Sequence, residues 1–129
     1  MKPEMLNGAN LAFIGDAYYE LQIRRHLLEM DITNQNELQK KTSGYVSAKA
    51  QSLIVSKLSD LSPEEVAIFK RGRNHKFRGF RKNLNKEEYL NSTGFEALIG
   101  YHYLKGNGER LEELLNFAIS VIETEGNHE

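Results

Sequence analysis

Two carboxylates stand where helical patterning reserves room for apolar side chains. In LAFIGDAYYE, Leu11 to Glu20, Asp16 follows Gly15 in the middle of an apolar run, and in STGFEALIGYHYL, Ser92 to Leu104, Glu96 stands among Phe95, Ala97, Leu98 and Ile99. Burying an unpaired carboxylate costs several kcal/mol, so each acid needs a base, a cap or a cation. Both acids also have small neighbours: Ala12, Gly15 and Ala17 in one stretch, Gly94, Ala97 and Gly100 in the other. Small residues allow helix backbones to approach, and a crossing here brings Asp16 and Glu96 to one spot. Two carboxylates together repel unless a proton or a cation lies between them. A hard divalent cation with oxygen ligands, Mg²⁺ or Mn²⁺, would satisfy both. Spacing alone leaves a plainer arrangement open, because Glu20 follows Asp16 by one turn and Arg24 follows Glu20 by another, forming a surface ladder.

The second feature with chemical content is the distribution of charge. Eight of the 17 Lys and Arg residues lie between Lys70 and Lys86, a segment without a single acid, which leaves nine basic against 18 acidic side chains elsewhere. A basic segment on an acidic body is an electrostatic footprint for a polyanion, although the net charge is only -1. The four histidines, His26, His75, His102 and His128, form no metal-binding pair at helical spacing. His75 alone lies inside the basic segment.

The elements that must position these groups are helical. At 129 residues the chain has the size of one domain with one core, and its two prolines and lack of sustained apolar alternation argue against a sheet. Leu11, Ile14, Tyr18, Leu21, Arg25 and Leu28 predict a first helix ending before Asp31. Asn34 and Glu37 have capping-box spacing and predict a short helix over ELQKK. A third helix is expected from Tyr45 or Val46, with Ala50, Leu53, Ile54 and Leu58 on one face. Ser62-Pro63-Glu64-Glu65 is the strongest helix start, and that helix stops near Gly72. A basic loop follows at about 71–85. Asn85 then caps a helix running to Leu104, before Gly106, and ERLEELLNFAISVIE forms the last. The expectation is a single all-α domain over 1–129, a bundle of about six helices. The chain has no cysteine, which suits a reducing cytoplasm. It also has no run of roughly 20 apolar residues and no secretory leader at its start, so no membrane partner and a cytoplasmic location are expected.

Both acid-bearing stretches match known motifs. Ala9 to Asp16, ANLAFIGD, resembles the ribonuclease III signature E-R-L-E-F-L-G-D, and TGFEALIGYHYL resembles the second motif of that family, D-x-x-E-A-L-I-G-A-x-Y-L. They occur in family order and 80 residues apart. The length, the YVSAKAQ stretch (Tyr45 to Gln51) and the basic segment before the second motif resemble the family's short form, Mini-ribonuclease III, a catalytic domain without a double-stranded RNA-binding domain. The resemblance covers nearly the whole chain.

It implies a ribonuclease III-like helical endonuclease domain, working as a homodimer, that uses Mg²⁺ (Mn²⁺ being an alternative) to cut double-stranded RNA. For the short form the implied substrate is precursor large-subunit (23S) ribosomal RNA, with a ribosomal protein as a further partner on the substrate. Asp16 and Glu96 fall on the central metal ligands and catalytic acids, and Phe13 on a position that plugs into the other subunit. Thr93 stands where the second motif has an aspartate, one turn before Glu96, and is expected to reach the cation only through a water. Arg71, Arg73, His75, Lys76, Arg78, Arg81 and Lys82 are the candidate RNA-binding residues, reading A-form shape more than sequence. The signature's two glutamates fall on Ala9 and Ala12. Fewer acids favour a second reading, a non-catalytic RNA-binding or ribosome-associated module of the same fold.

Overall fold

A computed structural model of the chain describes residues 1–74 and 85–125. Six helices make up the described part: α1 (Gly8–Glu29), α2 (Gln35–Val46), α3 (Ala48–Lys57), α4 (Pro63–Arg73), α5 (Lys86–Lys105) and α6 (Gly108–Glu125), preceded by a single 3-10 turn at Pro3–Met5. No strand occurs among the described residues, and no helix among them is long and apolar enough to cross a membrane.

The caps follow the sequence closely. Asn7, Asn34, Ser47, Ser62 and Asn85 each accept a backbone N–H three residues on, the N-terminal device that satisfies an orphan donor. At Ser62 the box is reciprocal, since the Ser62 N–H donates to the Glu65 carboxylate at 2.9 Å. α1 stops where Asp31 takes φ 63°, a left-handed conformation that Asp tolerates better than most residues. α5 stops at Gly106 with φ 74°.

Three expectations change. The short helix over ELQKK is the front half of α2, which runs on through Tyr45 and Val46, so neither begins the third helix. The break falls at Ser47, which ends α2 and caps α3 through the Ala50 N–H without glycine or proline. The basic loop also begins later than 71, because Arg71 to Arg73 form the last turn of α4.

The third change concerns the buried face of α1. Leu11, Gly15, Tyr19, Ile23 and Leu27 face inward, whereas Leu21 and Leu28, assigned to the same apolar series as Leu11, are 61% and 54% exposed. Phe13 is 81% exposed. A helix apolar on two sides carries no periodic signal that says which side is core.

α5 is the central element, with Ser92 to His102 buried almost without interruption, and α1, α3 and α4 pack around it. The main core joins Tyr19, Ile23 and Leu27 of α1 to Ile54 of α3, Phe95, Leu98 and Ile99 of α5, and Leu114, Ala118 and Ile122 of α6. A smaller cluster of Leu11, Ala12, Ile68, Ala97 and Tyr101 closes the other end.

The ends of α4, α5 and α6 meet at a buried ion network. Glu65, 4% exposed, accepts from Arg110 Nε at 2.7 Å and lies 2.7 Å from His102 Nε2. Burial alone would raise this carboxyl, but the Arg110 guanidinium, the Ser62 N–H and His102 outweigh it and hold it at about 2, well below the ordinary 4.5. A carboxyl with a lowered folded-state pKa stabilises the fold above its unfolded value and loses that contribution as pH falls toward the folded value. Melting temperature should therefore drop between pH 4.5 and about 2. Glu65→Gln should be less stable than the parent at neutral pH and show a shallower acid dependence over that window, measured by circular dichroism melts across pH.

Candidate active site

Asp16 and Glu96 come together where α1 crosses α5. The approach depends on glycines: a Cβ on Gly15 would stand 1.8 Å from the Glu96 carbonyl oxygen, and one on Gly100 would stand 2.0 Å from the Leu11 carbonyl oxygen. No heavier residue fits at either position. The residue before Asp16 thus touches the backbone of Glu96, and the two side chains emerge side by side. Asp16 is exposed and Glu96 half-buried. Gly72 of α4 completes the close packing, since its Cβ would lie 2.7 Å from Ala97 and 2.8 Å from the Thr93 carbonyl oxygen.

Asp16 is the acidic neighbour that acts on the Glu96 carboxyl. Burial pushes the Glu96 carboxyl up to about 9, the hydrogen bond and negative charge of Asp16 push in the same direction, and the Gln51 amide opposes them. No lysine or arginine is among the groups that act on it. The plainer arrangement drawn from spacing, with Asp16 at the head of a ladder, is realised only in its second rung, where Arg24 Nε donates to Glu20 at 2.9 Å.

The donor set suits a hard cation. Mg²⁺ keeps several waters and takes one or two carboxylates rather than a full protein cage. Among the described residues no cluster of three or more His, Cys, Asp or Glu that could hold a metal ion exists. Thr93 is buried, and its hydroxyl donates to the Tyr89 carbonyl oxygen at 2.9 Å. It therefore has only lone pairs left with which to meet a water. His102 is committed to Glu65, and His26 lies 2.6 Å from Glu123; His75 and His128 lie outside the described residues.

Gln51 is the residue that sequence reasoning passed over. It is fully buried on the inner face of α3, and its Nε2 reaches Glu96 Oε2 at 3.4 Å. Its position, between Ala50 and Ile54 on a buried face, is the signal that was there to find. The neighbouring Ser52 accepts from Asn91 Nδ2 at 3.0 Å, and Asn91 accepts in turn from Arg73.

The candidate RNA-binding residues divide. Arg71 donates to the carbonyl oxygens of Glu4 and Leu6, both at 3.0 Å, tying down the N-terminal turn. Arg73 also meets Glu87 at 3.2 Å. His75, Lys76, Arg78, Arg81 and Lys82 lie outside the described residues. Phe13 is remote from this crossing's interior and projects outward from α1.

Residues 9–107 match the ribonuclease III domain family, a span that takes in both motif stretches. The chain belongs to the ribonuclease III family. It is an endoribonuclease by class. The chain is 45% identical over 122 residues to Mini-ribonuclease 3 from Enterococcus faecalis, covering 92% of each chain. It is 42% identical over 122 residues to the protein of that name from Streptococcus pneumoniae, covering 92% of this chain and 95% of that one. A crystal structure of a Fusobacterium nucleatum protein superposes with a TM-score of 0.81 at 37% identity, covering 90% of this chain and 93% of the other. The ribonuclease III-like helical fold is therefore established along with the family.

The glycine crossing generates a sharp expectation for stability. Gly100→Ala should lower the unfolding free energy by about 3 kcal/mol or more, or prevent folding, since it forces α1 off α5. Gly44→Ala, where an added Cβ meets nothing within 4 Å, should be neutral or slightly stabilising. Urea unfolding of both variants checks the contrast.

Proposed function

We propose that this ribonuclease III-family chain is a divalent-metal-dependent endonuclease for double-stranded RNA, with Asp16 and Glu96 as the metal-holding acids. The observation that carries this reading is that the glycine crossing brings these two acids together with no lysine or arginine of the described residues acting on Glu96. Mg²⁺, with Mn²⁺ as an alternative, would supply an activated water and neutralise charge on the phosphate and leaving oxygen. Asp16 and Glu96 then act as ligands that fix its place.

Phosphate affinity is assigned to the basic segment, through Arg71, Arg73, His75, Lys76, Arg78, Arg81 and Lys82, whose charge suits the backbone of an A-form duplex. The relatives bear the name Mini-ribonuclease 3, which supports ribonuclease activity; precursor large-subunit ribosomal RNA as the substrate, a ribosomal protein on it as a further partner and a cytoplasmic location are parts of the proposal. Thr93 is given a supporting part, accepting from a water beside Glu96. A homodimer built on the outward stripe of α1 (Phe13, Leu21 and Leu28) would cover apolar surface that one copy leaves in water. Two sites related by a two-fold axis then address the two strands.

The competing reading, a non-catalytic RNA-binding or ribosome-associated module, draws on Ala9, Ala12 and Thr93 standing where the longer enzymes have acids.

A duplex RNA containing a hairpin from precursor large-subunit ribosomal RNA should be cut in Mg²⁺ and not in EDTA. Asp16→Asn and Glu96→Gln should each slow cleavage by about 100-fold or more, each tenfold corresponding to about 1.4 kcal/mol of barrier, while binding persists and weakens with salt. Salt-sensitive binding without cleavage by the parent would favour the module. For the assembly, Phe13→Asp should convert a dimer to a monomer in sedimentation velocity while changing monomer stability by no more than about 0.5 kcal/mol, as expected of an exposed site.

A further inference from the structure

Gln51 is a buried polar group in the wrong place for a purely structural residue. It is 0% exposed, on the face of α3 that packs against α5, flanked by Ala50 and Ile54, which are 7% and 0% exposed. An apolar side chain of that length would fill the space at no polar cost. Instead, Gln51 brings an amide whose Nε2 lies 3.4 Å from Glu96 Oε2. Its Oε1 is buried and has no hydrogen-bond partner among the described residues. An orphaned buried acceptor is destabilising and uncommon in folded proteins, so its retention calls for a use.

Covalent geometry narrows what that use is. Oε1 and Nε2 share one carbon, so the unpaired acceptor lies beside the Glu96 carboxylate. The donor side of the amide suits an ionised Glu96, which can only accept. The acceptor side suits a hydrogen-bond donor in the same spot, and among the described residues no protein group donates to it. Water on a cation held by Asp16 and Glu96 is such a donor. Outer partners of this type orient metal-binding carboxylates. α3 is in turn held by the chain from Arg73 through Asn91 to Ser52, which anchors the residue next to Gln51.

We propose that Gln51 is a positioning residue of this site, its Nε2 holding the Glu96 carboxylate turned toward Asp16 and its Oε1 receiving a hydrogen bond from a water of the bound cation. The inference rests on the metal-dependent reading of Asp16 and Glu96 and adds a third side chain to it. Gln51 touches neither substrate nor reacting atoms, so it acts through Glu96.

Gln51→Leu and Gln51→Met keep the bulk and remove both polar atoms. Mn²⁺ binding by the full chain without RNA, followed by electron paramagnetic resonance of the free ion, should weaken roughly tenfold in each. Cleavage of duplex RNA should fall in kcat by a similar factor with KM little changed, while melting temperatures without metal stay at or above the parent's. Such a split separates positioning from mere packing, which would move melting temperature first. Parent-like Mn²⁺ affinity and kcat in a folded variant would overturn the inference, and so would loss of folding in both variants. A parent chain that neither bound Mn²⁺ nor cut duplex RNA would bring down the nuclease reading, and this inference with it; Glu96→Gln, measured alongside, tells that case apart from a failure confined to Gln51.

Discussion

The crossing of α1 over α5 is the contact on which everything else in this molecule depends. Helices ordinarily pack with axes 8–10 Å apart, separated by side chains; here Gly15 and Gly100 remove those side chains and carbonyl oxygens fill the place of Cβ atoms. The gain is dense packing along the axis of the domain, and the consequence is chemical. Because Gly15 lies against the backbone of Glu96, the adjoining Asp16 has no choice but to share space with the Glu96 side chain. The glycine-mediated approach of α1 to α5 and the candidate active site are one feature.

The protein treats its two inward-facing glutamates in opposite ways. Glu65 is buried but surrounded by donors, with Arg110, His102 and the Ser62 N–H arranged around it, and it stays ionised. Glu96 has an acid and an amide for company and holds its proton to about pH 9. The first arrangement completes itself within the chain and ties three helix ends together. The second is incomplete by the same standard. Two adjoining carboxyls, one of them half-buried, with no base beside them among the described residues form a pair that a divalent cation would balance.

Much of this was legible in the residues. Ser62-Pro63-Glu64-Glu65 and the asparagine caps mark helix starts through a local hydrogen bond, and local chemistry can be read from a local sequence. Asp16 and Glu96 were legible for a related reason: an acid in an apolar run with small neighbours is a conflict that only a crossing resolves. What escaped were features decided at a distance. The inner face of α1 is chosen by α5, not by its own periodicity, so Leu21 and Leu28 were put with Leu11. The α2–α3 break at Ser47 has no glycine or proline to announce it. Gln51 drew no notice because its meaning comes from Glu96, 45 positions later. Arg71 and Arg73 likewise looked like part of one uniform basic run, although each has fixed partners in other elements.

Those last two arginines alter how charge in this chain has to be dissected. A neutral substitution at any lysine or arginine of the basic segment removes a positive charge. The same substitution at Arg71 also releases the first turn of the chain from α4, and at Arg73 it frees Asn91 and with it the clasp on Ser52, next door to Gln51. Loss of RNA affinity and loss of architecture would then register as one deficit. At the entrance of the basic run, charge and architecture are carried by the same two side chains.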